Sequence, residues 1–436
     1  MDKRMKILVT LCLGAVSLGA ASHNEAPMLQ AARRVLPGNR PIECVMNNAQ
    51  MAVYRQQDGG FAVVEASGQA PRVLAYSPTS QLDVNDRNPG FIWWLKAAQR
   101  RLQTPEPRPK ITKPDTTRFA PRIDALTTTL WGQREPFKFM CPFVNYVEDW
   151  SLYGTYQPDS AHFVVGCGPT AMAQYMYYYK FPRHGIGQDS VVVKYDVPGQ
   201  GTVAVTYRVD FEQGQYDWDN MINDYQGDYT DQQGEAVARL CYHCGVAARS
   251  TYNNLGSGTN DMRILDAFIQ HFNYNDTAHY IIRSKYDEPT WMEMVYSELS
   301  NHRPIFYSGK DINLELGIIG GHNFIIDGYD EEGMVHVNWG WYGLENGYFD
   351  IALLNPQQYT YDDWQAMYVG LYPNRETLVG DVNDDGQVDV SDINAIINMM
   401  LGKATQTNAA DINGDGNVDV SDVNAVINIM LGKISK

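Results

Sequence analysis

Cysteine is scarce in this sequence. Of six cysteines in 436 residues, Cys12 sits in an apolar N-terminal run, leaving Cys44, Cys141, Cys167, Cys241 and Cys244. So odd and sparse a set excludes a disulfide framework. Cys241-Tyr242-His243-Cys244 has the spacing of half a zinc site, but no second pair completes it. Residues 236–247 have an amphipathic helical pattern, so both cysteines are expected in the core. Positive charge is also short: 34 Lys and Arg face 51 Asp and Glu, for a formal net charge of −17. That balance excludes electrostatic binding of nucleic acid. Beyond residue 20 no apolar run is long enough for a membrane span. The one run present, residues 7–20, follows a basic 1–6 and ends in the small residues Gly19-Ala20-Ala21-Ser22. A secretory signal peptide over residues 1–21 is expected, and with it an extracellular or cell-surface protein. The remainder, in a chain 44% apolar and 19% charged, should fold as two to four units.

Gly166-Cys167-Gly168-Pro169-Thr170 is the stretch around which the rest is organised. Pro169 is preorganised for a first helical turn, and the helical run ends at Phe181-Pro182 because the residue before proline avoids helix. Cys167 is therefore expected just ahead of a helix N-terminus, where unpaired N–H groups and the dipole favour a thiolate and can hold a developing oxyanion. A buried structural cysteine is the alternative. A second stretch, residues 320–329, reads as a strand. Asp330-Glu331-Glu332-Gly333 reads as a turn and residues 334–341 as the returning strand. Cys on a helix and His322 on a distant sheet is the arrangement of a thiol hydrolase.

On three motifs the chain resembles the streptopain family of papain-like cysteine peptidases: G-C-x-x-T at residues 166–170, G-G-H-x-F-x-I-D-G at 320–328, and H-V-N-W-G-W at 336–341. The resemblance runs from the N-terminal region to about Pro373. It implies an α+β papain-like core in which Cys167 attacks the peptide carbonyl and His322 protonates the leaving amine, with no metal in the chemistry. It also implies that Gln133, in Trp131-Gly132-Gln133, donates an amide N–H to the oxyanion beside the Cys167 N–H. Pairing Tyr329 with Met334 places Phe324 opposite Trp339 and His322 opposite Trp341. Trp339 then shares the His322 face and Asn338 points away, and one bulge reverses this. The partner that orients His322 stays open between Asn338 and an indole such as Trp339. The loop 256–259 is suggested as lining the cleft.

Residues 51–54, 60–64 and 73–76 read as strands and 91–102 as a helix. The proline-rich, basic residues 104–114 follow, with too little apolar content to pack. A small unit, an accessible linker and an enzyme core suggest a propeptide, and Gly59-Gly60-Phe61-Ala62-Val63-Val64 also resembles the streptopain-type prodomain. The expected divisions are an inhibitory α+β propeptide over 22–114 and a catalytic domain over 115–373.

Residues 378–436 form a separate acidic module. Asp381 to Lys436 contains nine Asp, no Glu and three Lys. Twelve residues repeat after an interval of 30: Asp381, Asn383, Asp385, Gln387, Asp389 and Asp392 correspond to Asp411, Asn413, Asp415, Asn417, Asp419 and Asp422. Oxygen donors at odd positions, Gly at position six and a carboxylate at twelve make the calcium-loop pattern, so two structural Ca2+ sites are expected. Each loop leads into a helix, with Ile393, Ile396, Ile397 and Met400 in one and Val423, Val426, Ile427 and Met430 in the other expected to face inwards. The segment resembles a type I dockerin, which implies a small all-α module and a cohesin-like partner. Where such dockerins carry two hydroxyl residues, this chain has Val390-Ser391 and Val420-Ser421.

The resulting expectation is a secreted cysteine endopeptidase made as a zymogen. Two other classes compete with it. A dockerin-bearing glycoside hydrolase would need two carboxylates facing across a cleft, and no such pairing stands out. An adhesion or binding protein with an inactive peptidase fold would leave Cys167, His322 and Gln133 without a task.

Overall fold

The computed structural model describes all residues except 1–24, 67–70, 84–87, 105–109, 146–153, 198, 200, 254–255, 314–317, 355–362, 376–377, 384–387, 405 and 434–436. The expected signal peptide, the middle of the linker, and Asp385 and Gln387 lie outside the described residues.

The N-terminal unit comprises α1 (Glu25–Val35), β1 (Ile42–Asn47), β2 (Met51–Gln56), β3 (Phe61–Glu65), β4 (Val73–Ser77) and α2 (Pro89–Gln103). Side chains alternate across its strands, so the two faces bury against different helices. Ala52, Tyr54, Ala62 and Val64 pack on Met28, Ala31 and Ala32 of α1. Met51, Val53, Phe61 and Val63 share a core with Phe91, Trp94 and Ala97 of α2. α2 starts where Pro89 fixes φ and Asn88 caps, its Oδ1 accepting the N–H groups of Gly90 (3.1 Å) and Phe91 (3.2 Å).

The central unit contains α3 (Cys167–Tyr179), β5 (Gln188–Val197), β6 (Gly201–Asp210), α4 (Asp231–Ala247), α5 (Asp261–Phe272), β7 (His279–Ile282), α6 (Glu288–Ser300), β8 (Ile305–Asn313), β9 (Ile318–Tyr329), β10 (Val335–Asn338), β11 (Gly347–Phe349) and β12 (Asp363–Val369). Residues 168–176 of α3 are all buried, so this helix is the centre of a layer formed with α4 and α5. Cys241 and Cys244 lie in that core, as their helical pattern leads one to expect.

One ten-stranded sheet joins the two units, in the order β1-β2-β3-β4-β11-β10-β9-β8-β12-β7. The junction is antiparallel pairing of β4 with β11, Tyr76 facing Tyr348 and Ala75 facing Phe349. A single hydrophobic cluster crosses it: Phe61, Trp93 and Trp94 from the N-terminal unit pack with Phe324, Trp339 and Phe349. Each such large side chain contributes about 1.5–3 kcal/mol on burial, so the N-terminal unit is held by core packing as well as by strand pairing.

The β9–β10 hairpin differs from the expected register near its turn. Tyr329 faces Val335, not Met334, and Asp327 is the extra residue of a bulge between the His336 and Val337 pairs. Beyond the bulge, Val337 faces Ile326 and Asn338 faces Ile325, which is the expected register. The shift arises because the Asp330 carboxylate gathers the N–H groups of Glu332 (3.0 Å) and Met334 (2.8 Å), drawing Met334 into the turn. β10 ends at Asn338, so Trp341 has no ladder partner.

The C-terminal module is all-α, with α7 (Val390–Met400) and α8 (Val420–Met430). Its core contains Ile396, Met399 and Val426, with Ile393 and Val423 packed against it. Ile397, Met400, Ile427 and Met430, expected inside, are exposed. Two short crossing helices touch along a narrow i, i+3 seam, which leaves the i+4 positions in solvent.

Candidate active site

Cys167 is the first residue of α3, one step inside the helix from where the sequence places it. The turn before it needs glycine. Gly166 has φ of +94°, and a Cβ there would lie 2.5 Å from the Ser257 carbonyl oxygen. The Val165 N–H donates to the Gln133 carbonyl (3.1 Å), which sets the segment carrying Gln133 beside the start of α3. Cys167, Gln133, His322, Gly321, Trp341 and Pro89 line one cavity of about 470 Å³. Gly256 and Ser257 also line it, which is where the suggested cleft loop lies.

The cavity thus gathers Cys167, His322 and Gln133, but no Cys167–His322 hydrogen bond is present among the described residues. His322 is buried, and its Nε2 lies 2.7 Å from the backbone carbonyl oxygen of Trp339. The Trp339 indole is 6.3 Å from the imidazole, centre to centre, and is held through Nε1 by the Glu345 carbonyl (3.0 Å). Asn338 is not brought to His322. Its Nδ2 donates to the Thr129 carbonyl (2.8 Å) and Thr127 Oγ1 (3.2 Å), and its Oδ1 accepts the Gly340 N–H (3.1 Å). Period-two alternation puts Asn338 on the opposite face of β10 from the histidine.

The N-terminus of α2 lies directly on this histidine. A Cβ at Gly90 would come within 2.4 Å of Trp339 Cε3 and 2.5 Å of His322 Cδ2. A Cβ at Gly309 would meet the Trp93 ring at 2.4 Å, so two glycine contacts let α2 lie flat against β8 and β9. The helix is anchored by Asn88 Nδ2, which donates to Glu345 Oε2 (3.0 Å) and the Leu344 carbonyl (3.2 Å). The Asp83 N–H donates to Glu345 Oε1 (3.0 Å). Neither Asn88 nor Gly90 belongs to one of the three sequence motifs; Asn88-Pro89, an N-cap before a helix-starting proline, is the signal that marks them.

Electrostatics match this closed arrangement. Burial raises the Cys167 thiol above its ordinary value, and the nearby Asp261 carboxylate adds to the rise against the N–H groups of Asn323 and Gly168. Burial lowers His322 to about 4, opposed by its bond to the Trp339 carbonyl. A protonated thiol beside a neutral imidazole is chemically quiet, because the thiolate is the nucleophile.

In the C-terminal module the donors of both loops are oxygen atoms, a set suited to a hard cation such as calcium. The second loop is described throughout, and its Asp411 carboxylate accepts the N–H groups of Asp415 (3.1 Å) and Gly416 (2.8 Å). Asp422 is buried and accepts those of Ile412 (2.8 Å), Asn413 (3.2 Å) and Asp419 (2.9 Å). Asp392 of the first loop does the same for Val382, Asn383 and Asp389. No three Asp, Glu, His or Cys side chains converge as a metal site among the described residues.

Comparison with known proteins agrees with the geometry. Residues 131–349 match the Peptidase C10 family, residues 30–102 the Spi protease inhibitor family, and residues 379–431 the dockerin type I domain. The chain is 26% identical over 346 residues to streptopain of Streptococcus pyogenes, covering 75% of this chain and 82% of that protein. It is 27% identical over 351 residues to the thiol protease/hemagglutinin PrtT of Porphyromonas gingivalis, covering 76% of this chain and 38% of that protein. A cysteine-to-alanine mutant fragment of prointerpain A from Prevotella intermedia superposes with a TM-score of 0.62 at 33% identity, covering 77% of this chain and 99% of that one. The chain belongs to the peptidase C10 family, the streptopain family of cysteine peptidases made as zymogens, and it carries a type I dockerin domain.

Proposed function

We propose that Cys167 is the nucleophile of this peptidase, that His322 is its acid–base group, and that α2 keeps the uncut chain latent by fixing His322 against Trp339. The observation that carries this reading is the contact of Gly90 with the imidazole, at the one cavity that also holds Cys167 and Gln133. Cleavage in the linker releases residues 22–114, and the imidazole becomes free to take the thiol proton. The thiolate then attacks the substrate carbonyl, and the Cys167 N–H and the Gln133 amide stabilise the oxyanion. His322 returns its proton to the leaving amine, and water, deprotonated by His322, hydrolyses the thioester. Until that release the Trp339 carbonyl holds the imidazole, while Asn338 stays bound to Thr127 and Thr129.

The finer assignments follow the same reading. Residues 1–21 are a signal peptide, 115–373 the catalytic domain and 378–436 the dockerin module of a secreted protein. Asp381, Asn383, Asp385, Gln387, Asp389 and Asp392 would hold one calcium ion and Asp411, Asn413, Asp415, Asn417, Asp419 and Asp422 a second. The ions neutralise the loop carboxylates so that α7 and α8 pack, and they take no part in catalysis. A cohesin-like protein is the partner proposed for the module. Casein digestion tests the core of this reading: matured protein should digest casein, an alkylator should stop it, and Cys167→Ala should be inert while Cys241→Ala stays active. Digestion by the Cys167→Ala protein would overturn the assignment.

A further inference from the structure

Asn323 follows the histidine in sequence, and strand alternation sends its side chain to the other face of β9, towards α3. There Cys167 Sγ lies 3.8 Å from Asn323 Oδ1. The amide is not free to choose its orientation. Its Nδ2 donates to Asp261 Oδ1 (3.2 Å), and an ionised carboxylate can only accept. The nitrogen must face Asp261, so the carbonyl oxygen must face the sulfur.

Asp261 is itself fixed. It opens α5, is buried, and its Oδ2 accepts from Lys310 Nζ on β8 (2.6 Å) and from the Tyr280 hydroxyl on β7 (2.9 Å). Tyr280 is held in turn by Trp364 Nε1 on β12 (2.8 Å), and the Asp261 carbonyl accepts from Tyr368 (2.6 Å). Three strands, β7, β8 and β9, thus converge on one carboxylate, and the oxygen not taken by Lys310 and Tyr280 aims an amide at the thiol. A cavity-lining loop supplies no such rigidity, because loops carry fewer fixed hydrogen bonds.

We propose that Asn323, held in one orientation by Asp261 and Lys310, is a positioning residue that fixes the Cys167 thiol and sets how readily it gives up its proton. The proposal rests on Cys167 being the nucleophile. An acceptor oxygen at the sulfur accommodates S–H and repels S−, so the Asn323 side chain favours the protonated form, against the pull of its own backbone N–H towards the thiolate. Asp261 acts in the same sense through its charge, and Lys310 offsets that charge from the far side. The other charged or titratable groups around the sulfur are His322 on β9 and, along the cavity, Arg134 and His162. Activation therefore has to work against a built-in preference for the thiol, and the His322 imidazolium is the group that overcomes it.

The test is the pH midpoint of Cys167 alkylation by iodoacetamide, read by peptide mapping in the uncut full chain. A His322→Ala background prevents self-cleavage and removes the imidazole from the titration. Asn323→Ala deletes the acceptor, and the midpoint should fall by about half to one pH unit. Lys310→Gln leaves Asp261 unopposed, and the midpoint should rise by a similar amount, with Lys310→Arg restoring it. Lys310 is partly exposed, so this arm stays readable if Asn323→Ala folds poorly. Opposite shifts support the proposal, since loss of structure alone would not move the two variants in opposite directions. Unchanged midpoints, or shifts of the same sign, overturn it. Peptidase activity of Cys167→Ala in the otherwise unaltered chain is measured separately, so failure of the nucleophile assignment is distinguishable from failure of this one.

Discussion

Replacing Gly90 by alanine puts a methyl carbon 2.4 Å from Trp339 Cε3 and 2.5 Å from His322 Cδ2, both on buried rings. Neither ring can swing aside, since Trp339 is fixed by Glu345 and Asn346 and His322 by the Trp339 carbonyl. The first turn of α2 has to lift instead, at a cost of about 1–3 kcal/mol for an overpacked methyl. Better helix propensity returns up to about 1 kcal/mol of that. Taking the middle of the first range, about 2 kcal/mol, the net weakening of the closed form is about 1–2 kcal/mol, a factor of roughly 5–30 in the open fraction. The assay is the initial rate of hydrolysis of a short fluorogenic peptide by freshly purified uncut chain, with processing followed on gels. Gly90→Ala should raise that rate about 5- to 30-fold before any cleavage appears. Gly227→Ala, where a Cβ meets nothing within 4 Å, is the control and should leave it unchanged. An uncut Gly90→Ala protein that folds normally and is as silent as the wild type would refute the wedge.

The isolated segment 378–436 should be poorly helical without calcium and gain helix on its addition, because a ligand that binds only the folded form stabilises it. Circular dichroism indifferent to both calcium and chelator would contradict the loop assignment, and chelation should leave cleavage of a short peptide unchanged. In the uncut chain His322 is depressed from 6.5 to about 4, so the stability it contributes is fully present above pH 6.5 and lost as pH falls through 4. The shift corresponds to about 3 kcal/mol, and urea melts of Cys167→Ala from pH 7 to 4 should lose much of their slope when His322→Leu is added. Asp350, raised by burial from 3.8 to about 6 despite Arg72, runs the other way: its contribution is present below pH 3.8 and lost as pH rises through 6. Asp350→Asn should therefore steepen the loss on acidification, and an identical slope in both variants would contradict the two assignments.

Much of this arrangement is legible in the sequence because local rules decide it. A proline at the third position of α3 and Phe181-Pro182 after it bracket that helix, and alternation marks β9 and the three strands 51–56, 61–65 and 73–77. What escapes is set by contacts distant in sequence. α1 gains its place by packing on β2 and β3, and β1 by pairing with β2. β11 is three residues long and gains its place by pairing with β4 from the N-terminal unit. The bulge at Asp327 depends on where a turn carboxylate collects its N–H groups. Asn323 reads as an ordinary strand residue until α5 brings Asp261 within hydrogen-bonding distance. Gly90 looks like a weak point in a helix, and only the rings beneath it explain the missing side chain.

The most direct measurement of the central claim compares the rate at which iodoacetamide modifies Cys167 at pH 7 before and after the linker is cut. Peptide mapping separates Cys167 from the exposed Cys44. If α2 holds His322 away from its task, the uncut chain presents a buried, protonated thiol and reacts slowly. Removal of the N-terminal unit should then raise the rate at least about tenfold as the thiolate forms. Equal rates in the two forms would contradict the account.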